Sequence, residues 1–125
     1  MTKSELINKS LLPYLKGEKP FGFDGIDCVY YNPTTKACCA IGQWLKIPEE
    51  FAEKIGIGAN ELFGTYTQTE ILQDEVQNIL SIDEWECVQA IHDYAAKNDG
   101  FHSALMELEK SIGEPLPELH KFLPF

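Results

Sequence analysis

Thr2 with Glu5, Thr67 with Glu70, and Ser81 with Glu84 each set a hydroxyl residue three positions before a glutamate. At this spacing the hydroxyl accepts from the glutamate's backbone N–H while the carboxylate reaches back to the first residue's own N–H. Two donors that a helix start otherwise leaves orphaned are thereby satisfied. The first pair predicts a helix near residues 3–16, stopped by Gly17, with Pro13 awkward inside it unless Ser10 restarts a turn. The other two predict helices at about 68–80 and 82–97. Asn98-Asp99-Gly100 breaks the last of these, and Asp99 can cap a further helix running to Ile112 before Gly113.

Apolar spacing supports those helices. Ile71, Leu72, Val76, Ile79 and Leu80 form one stripe. Trp85, Val88, Ile91 and Ala95 form a second, and Phe101, Leu105, Leu108 and Ile112 a third. Pro48 opens a short helix, PEEFAEKI, that Gly56 ends, and GIGANELFGTYTQ reads as a loop. A final turn, PLPELHKFL, is expected to dock through Leu116, Leu119 and Phe122. Residues 26–31 and 36–41 are rich in β-formers and flank Asn-Pro-Thr-Thr, which predicts a hairpin with a four-residue loop. The expected fold is therefore α+β, mostly α. It has an N-terminal helix, one β-hairpin, then three or four packed amphipathic helices, in a single compact domain over residues 1–125.

Charge narrows the function classes. Twenty acidic residues face ten basic ones, all lysine, for a net charge of -10. No lysine occurs between Lys54 and Lys97, where Glu61, Glu70, Asp74, Glu75, Asp83, Glu84, Glu86 and Asp93 lie. Such a chain repels phosphate backbones and lacks the guanidinium fork suited to bases and phosphates, so direct nucleic-acid binding is not expected. A partner with a basic surface is the complementary expectation, and a solvated face that only aids solubility is the plain alternative. No apolar run reaches the roughly 18–20 residues that cross a bilayer, so no membrane partner is expected. MTKSELINKS lacks the apolar middle of a signal peptide, which predicts a cytoplasmic protein.

Three of the four cysteines fall in CVYYNPTTKACCAIGQWL, residues 28–45. Zinc favours paired ligands at C-x₂₋₄-C, whereas nine residues separate Cys28 from Cys38, and adjacent Cys38 and Cys39 point to opposite faces of a strand. A second pair would have to come from Cys87, His92 or His102, so no metal is expected, and a bridge between Cys38 and Cys39 would be strained. A nucleophilic reading places Cys39 at a strand-to-helix turn, where a helix N-terminus lowers a thiol's pKa, with His92 as its base. His92 rides the apolar stripe of its helix, and Asp93 points about 100° away, so the adjacent pair is not expected to form a dyad unaided. No phosphate loop or dinucleotide spacing is present, so no cofactor is expected.

Cys28-x-Tyr30, followed by Lys36-x-x-Cys39-Ala-Ile-Gly42-x-x-Leu45, resembles a C-x-Y…K/R-x-C-A-V/I-G-x-x-L block of small phage and prophage proteins. WECVQAIHDYA is similar to their second block, a helix of the form Q-x-x-H-D, and the likeness spans roughly residues 25–112. This chain departs by its extra Cys38 and by lysine in place of arginine. The resemblance implies a phage or mobile-element origin and carries no activity with it. With a loop at Asn32–Thr35, Tyr31 would face Lys36 and Cys28 would face Cys39, on the side opposite Cys38.

The leading expectation is a non-enzymatic acidic accessory protein that binds a host protein, DNA mimicry or inhibition being one version of it. One alternative is a small hydrolase or transferase using Cys39 and His92. Another is a small-ligand module between the hairpin and helix 82–97. The candidate binding residues are Cys28, Tyr30, Lys36, Cys39, His92 and Asp93.

Overall fold

A computed structural model of the chain describes residues 1–123. Six α-helices appear among them: α1 (Lys3–Leu15), α2 (Ala59–Thr65), α3 (Gln68–Ile71), α4 (Ile82–Ala96), α5 (His102–Ile112) and α6 (Pro117–His120). Single 3₁₀ turns occupy Gly42–Trp44, Pro48–Phe51 and Asp74–Val76. All three capping boxes form, at the starts of α1, α3 and α4.

α4 is the central element, packed against α1, α2 and α5. Trp85, Val88 and Ile91 on its inner face are fully buried, and they join Leu6, Ile7 and Leu11 of α1 and Leu105 and Leu108 of α5 in one continuous core. α1 runs unbroken through Pro13, and Ser10 turns back on it by donating to the Leu6 carbonyl at 2.7 Å. The same hydroxyl accepts from the Trp44 indole at 2.9 Å, which ties the 42–44 turn to α1. Gly17 and Gly113 take left-handed φ of 78° and 75° just beyond α1 and α5, the conformation that stops a helix at glycine. Leu116 and Leu119 are buried, and Phe122 packs against the core from its edge.

The α+β expectation is overturned: the described residues contain no β-strand and no hairpin. Their sheet-like pairing is limited to four isolated bridges, Phe23–Cys28, Val29–Ile55, Tyr31–Cys38 and Leu45–Leu72. The turn after Asn32 does close, with the Asn32 N–H donating to the Ala37 carbonyl at 2.9 Å and Lys36 at a left-handed φ of 66°. Tyr31 opposes Cys38 rather than Lys36, so the expected register, and with it the Cys28–Cys39 pair, does not form. Both runs touch near the turn but are also claimed by other partners. Cys28 and Val29 pair with Phe23 and Ile55, while Ala40–Gly42 is drawn toward α4 and Tyr30.

Four further boundaries differ, the first being the helix expected over PEEFAEKI, which is only a 3₁₀ turn at Pro48–Phe51. The segment read as a loop contains α2, whose Ala59, Leu62 and Phe63 bury one apolar side. The helix expected over 68–80 stops at Ile71, because the following backbone is taken by tertiary partners. Lys46 N–H donates to the Ile71 carbonyl and Gln73 N–H to the Trp44 carbonyl, both at 2.8 Å. Gln68 then clasps the returning chain, accepting from Asn78 N–H and donating to the Leu80 carbonyl, each at 2.8 Å. Last, α5 begins after Phe101 without a side-chain cap, so Asp99 does not fill the role assigned to it.

Candidate functional site

The polar edge of α4 faces the irregular segment 20–45, and there the candidate residues converge. Gln89, His92 and Asp93 lie at i, i+3 and i+4, which places them on one side of the helix. His92 is fully buried, its ring set edge-on to Tyr14 at 4.9 Å and to Phe21 at 5.3 Å between centroids. The Gly22 N–H donates to His92 Nε2 at 3.1 Å. Since a backbone amide can only donate, Nε2 is an acceptor and the imidazole proton sits on Nδ1. That N–H donates to Asp93 Oδ1 at 2.8 Å, so the adjacent pair does form a dyad, against expectation. The ring's tilt between Tyr14 and Phe21 overcomes the angular separation along the helix.

Gln89 extends the network. Its amide donates to Asp93 Oδ1 at 2.7 Å, and its carbonyl accepts from Ile41 N–H at 3.1 Å. Tyr14 contributes from α1, its hydroxyl donating to the Cys38 and Cys39 carbonyls at 2.6 and 3.0 Å. The two sequence blocks therefore meet: α4 supplies side-chain acceptors for Gly22 and Ile41, two N–H groups of a segment that has no sheet to satisfy them.

Cys28 lies half-buried beside this network. Its sulfur, a ring nitrogen of His92 and a carboxylate oxygen of Asp93 fall within 4.8 Å of one another, close enough for a shared metal ion. The tautomer argues against that use. A metal on Nδ1 would move the proton to Nε2, directly against the Gly22 N–H. Burial, then the neighbouring Asp93 carboxylate, push the Cys28 thiol up to about 12, so it is held as a protonated donor.

Cys39 is not an activated nucleophile. It is fully buried, and its sulfur accepts from Gly42 N–H at 3.3 Å. Burial pushes its thiol well above the ordinary range, with the Asp93 charge adding to the effect and the Gly42 N–H only partly offsetting it. The expected lowering by a helix start fails because only a three-residue 3₁₀ turn follows, at Gly42–Trp44. Both ring nitrogens of His92 are engaged elsewhere, so His92 is not a base for Cys39. Tyr30 is buried, and its hydroxyl donates to the Ile57 carbonyl at 2.8 Å. Lys36 is exposed at the turn, outside the cluster. The junction proposed for a small ligand is closed, since Tyr30, Cys39, Ile41, Gln89 and His92 are all buried.

Of the residues that build the network, Tyr14, Phe21 and Gly22 carry no sequence signal. Gln89 was visible only as part of the Q-x-x-H-D pattern. Comparison with known proteins finds no matching family model, no curated relative and no solved structure of similar fold.

Proposed function

We propose that this chain is a non-enzymatic protein that acts by binding a partner with a basic surface. The observation that carries this reading is the unpaired acidity of its middle third. Glu61, Glu70, Asp74, Glu75 and Asp83 are exposed and Glu86 is half-exposed. Among the described residues, Lys3–Glu84 is the one lysine salt bridge that reaches an acid between 61 and 93. Acids left without cations favour a cationic partner and speed encounter with it. The His92–Gln89 pair supports the same conclusion from the other side, since both ring nitrogens of His92 and both ends of the Gln89 amide are spent on folding.

A phage or mobile-element origin, a host protein as partner, and action in the host cytoplasm complete the proposal, with DNA mimicry as one form of the binding. No helix among the described residues is long and apolar enough to cross a membrane. The test is affinity capture from a bacterial lysate with the immobilised chain, at low and at high ionic strength. A basic protein retained at low salt and released at high salt is the expected result. Retention of nothing at low salt overturns the reading.

A further inference from the structure

α4 and α5 are joined by only five residues, 97–101, and pack side by side. Their inner faces enter the core, and their outer faces leave an open groove of about 860 Å³. Its floor is made of small side chains, with Cys87 and Ala90 from α4 and Ala104 from α5. From Asp83 at one end to Tyr94 at the other, the α4 wall runs about 16 Å, or three helical turns at about 1.5 Å per residue. A shallow, small-floored trough between two helices is the shape that a third helix fills, because small residues let its axis approach to roughly 8–10 Å.

The charge of the walls selects the occupant. Asp83 and Glu86 line one wall and Glu107 the other, and none of the three forms a salt bridge among the described residues. Lys110 is the one cation of the lining, set toward the α5 C-terminus. The groove's field registers at Cys87, whose thiol is pushed up to about 11 by burial first and then by Glu107, Glu86 and Asp83. Tyr94 is 47% exposed at the far end, an amphipathic ring without a partner of its own.

We propose that the α4–α5 groove is the docking site for an amphipathic helix of a partner protein, with an apolar stripe on Cys87, Ala90 and Ala104 and flanking lysines or arginines toward Glu86 and Glu107. This rests on the basic-partner reading above and localises it. A second copy of this chain is a poor occupant, since α5, its helix with the clearest apolar stripe, carries only one lysine, Lys110, against Glu107 and Glu109.

The test uses three labelled peptides of about 18 residues, long enough to span the groove. They are a leucine/alanine/lysine amphipathic helix, its glutamate counterpart, and a scrambled lysine peptide without a stripe. Fluorescence anisotropy at low salt is expected to show the first binding about tenfold or more tightly than the others. Glu86→Lys with Glu107→Lys should weaken it at least about tenfold, whereas Glu61→Lys with Glu75→Lys, an equal charge change outside the groove, should weaken it less than about threefold. Bound peptide should also slow alkylation of Cys87, read by mass spectrometry, and circular dichroism confirms that each variant folds. Equal losses in the two double variants overturn the groove and leave a diffuse basic-partner reading standing. So does failure of all three peptides while the immobilised chain still retains basic proteins. Failure of peptides and proteins alike overturns both. Salt-insensitive dimerisation abolished by the groove variant would replace the partner helix with a second copy and overturn the proposal.

Discussion

Replacing His92 by phenylalanine keeps a ring between Tyr14 and Phe21 and removes the acceptor for the Gly22 N–H. A buried donor left unpaired costs about 1–3 kcal/mol. Asp93, whose side chain is one-third exposed, loses one donor and keeps Gln89, a further cost of about 0.5–1 kcal/mol. His92→Phe should therefore destabilise the fold by about 2–3 kcal/mol. With a urea dependence of about 1.5 kcal/mol per molar, the unfolding midpoint falls by roughly 1.5 M. Buried Trp85 makes tryptophan fluorescence a suitable probe of that transition.

His92→Gln reverses the loss. A glutamine carbonyl can reach the position of Nε2 and accept from Gly22, but the edge contacts to Tyr14 and Phe21, each worth about 0.5–1.5 kcal/mol, are gone. Both variants are thus less stable, and amide exchange separates them. Residue-resolved hydrogen exchange should show the Gly22 amide protected in wild type and in His92→Gln, and exposed in His92→Phe. An unchanged midpoint and a protected Gly22 in His92→Phe would refute the assignment of His92 as a buried acceptor.

A Cβ at Gly42 would lie 1.9 Å from the Tyr30 carbonyl oxygen, a backbone atom that cannot yield, so Gly42→Ala should cost more than about 3 kcal/mol. Gly64→Ala, which meets nothing within 4 Å on α2, should instead stabilise by about 0.5–1 kcal/mol, both read by urea unfolding. Burial acts to raise the Glu84 carboxyl, but bonds from Lys3, the Ser81 N–H and Ser111 outweigh it and hold it below the ordinary carboxylate range. A depressed carboxyl stabilises fully above its unfolded value and loses that contribution as pH falls through its folded one. Glu84→Gln should therefore cost about 1–2 kcal/mol at pH 7 and progressively less as pH drops below about 4.5, measured by thermal unfolding across pH. Finally, native Cys39 should resist alkylation at pH 8, and Cys28 and Cys87 should react more slowly than a free thiol, all three becoming fast only in denaturant.

The helix starts were legible because capping is local: each box needs only residues i and i+3, and all three formed. Buried stripes were legible too. Ile71, Leu72, Val76 and Leu80 are buried as expected even though no single helix carries them. What could not be read was which backbone groups the tertiary fold would claim. The 68–80 pattern suits a helix until Leu45 arrives to pair with Leu72. The 26–41 pattern suits a hairpin until Ile55 and α4 compete for the same donors. At the candidate site, His92, Asp93, Cys28 and Cys39 were chosen by chemistry, but the role of His92 depended on Gly22, a residue that contributes only backbone groups and close packing.

That dependence explains why the residues with the most chemical potential belong to folding. The irregular segment 20–45, without a sheet, must still satisfy its buried N–H groups, and an unpaired one costs more than most side-chain contacts return. Gln89 and His92 meet this need at Ile41 and Gly22, and Asp93 holds both side chains in position by accepting from each. Removing the imidazole's free lone pair is the consequence, so latch and catalyst are mutually exclusive uses of the same ring. α4 then divides into three faces. Trp85, Val88 and Ile91 enter the core, Gln89, His92 and Asp93 latch the irregular segment, and the line through Asp83, Glu86, Ala90 and Tyr94 is left to line the open groove, where the proposed partner would dock. A search for function belongs on that third face.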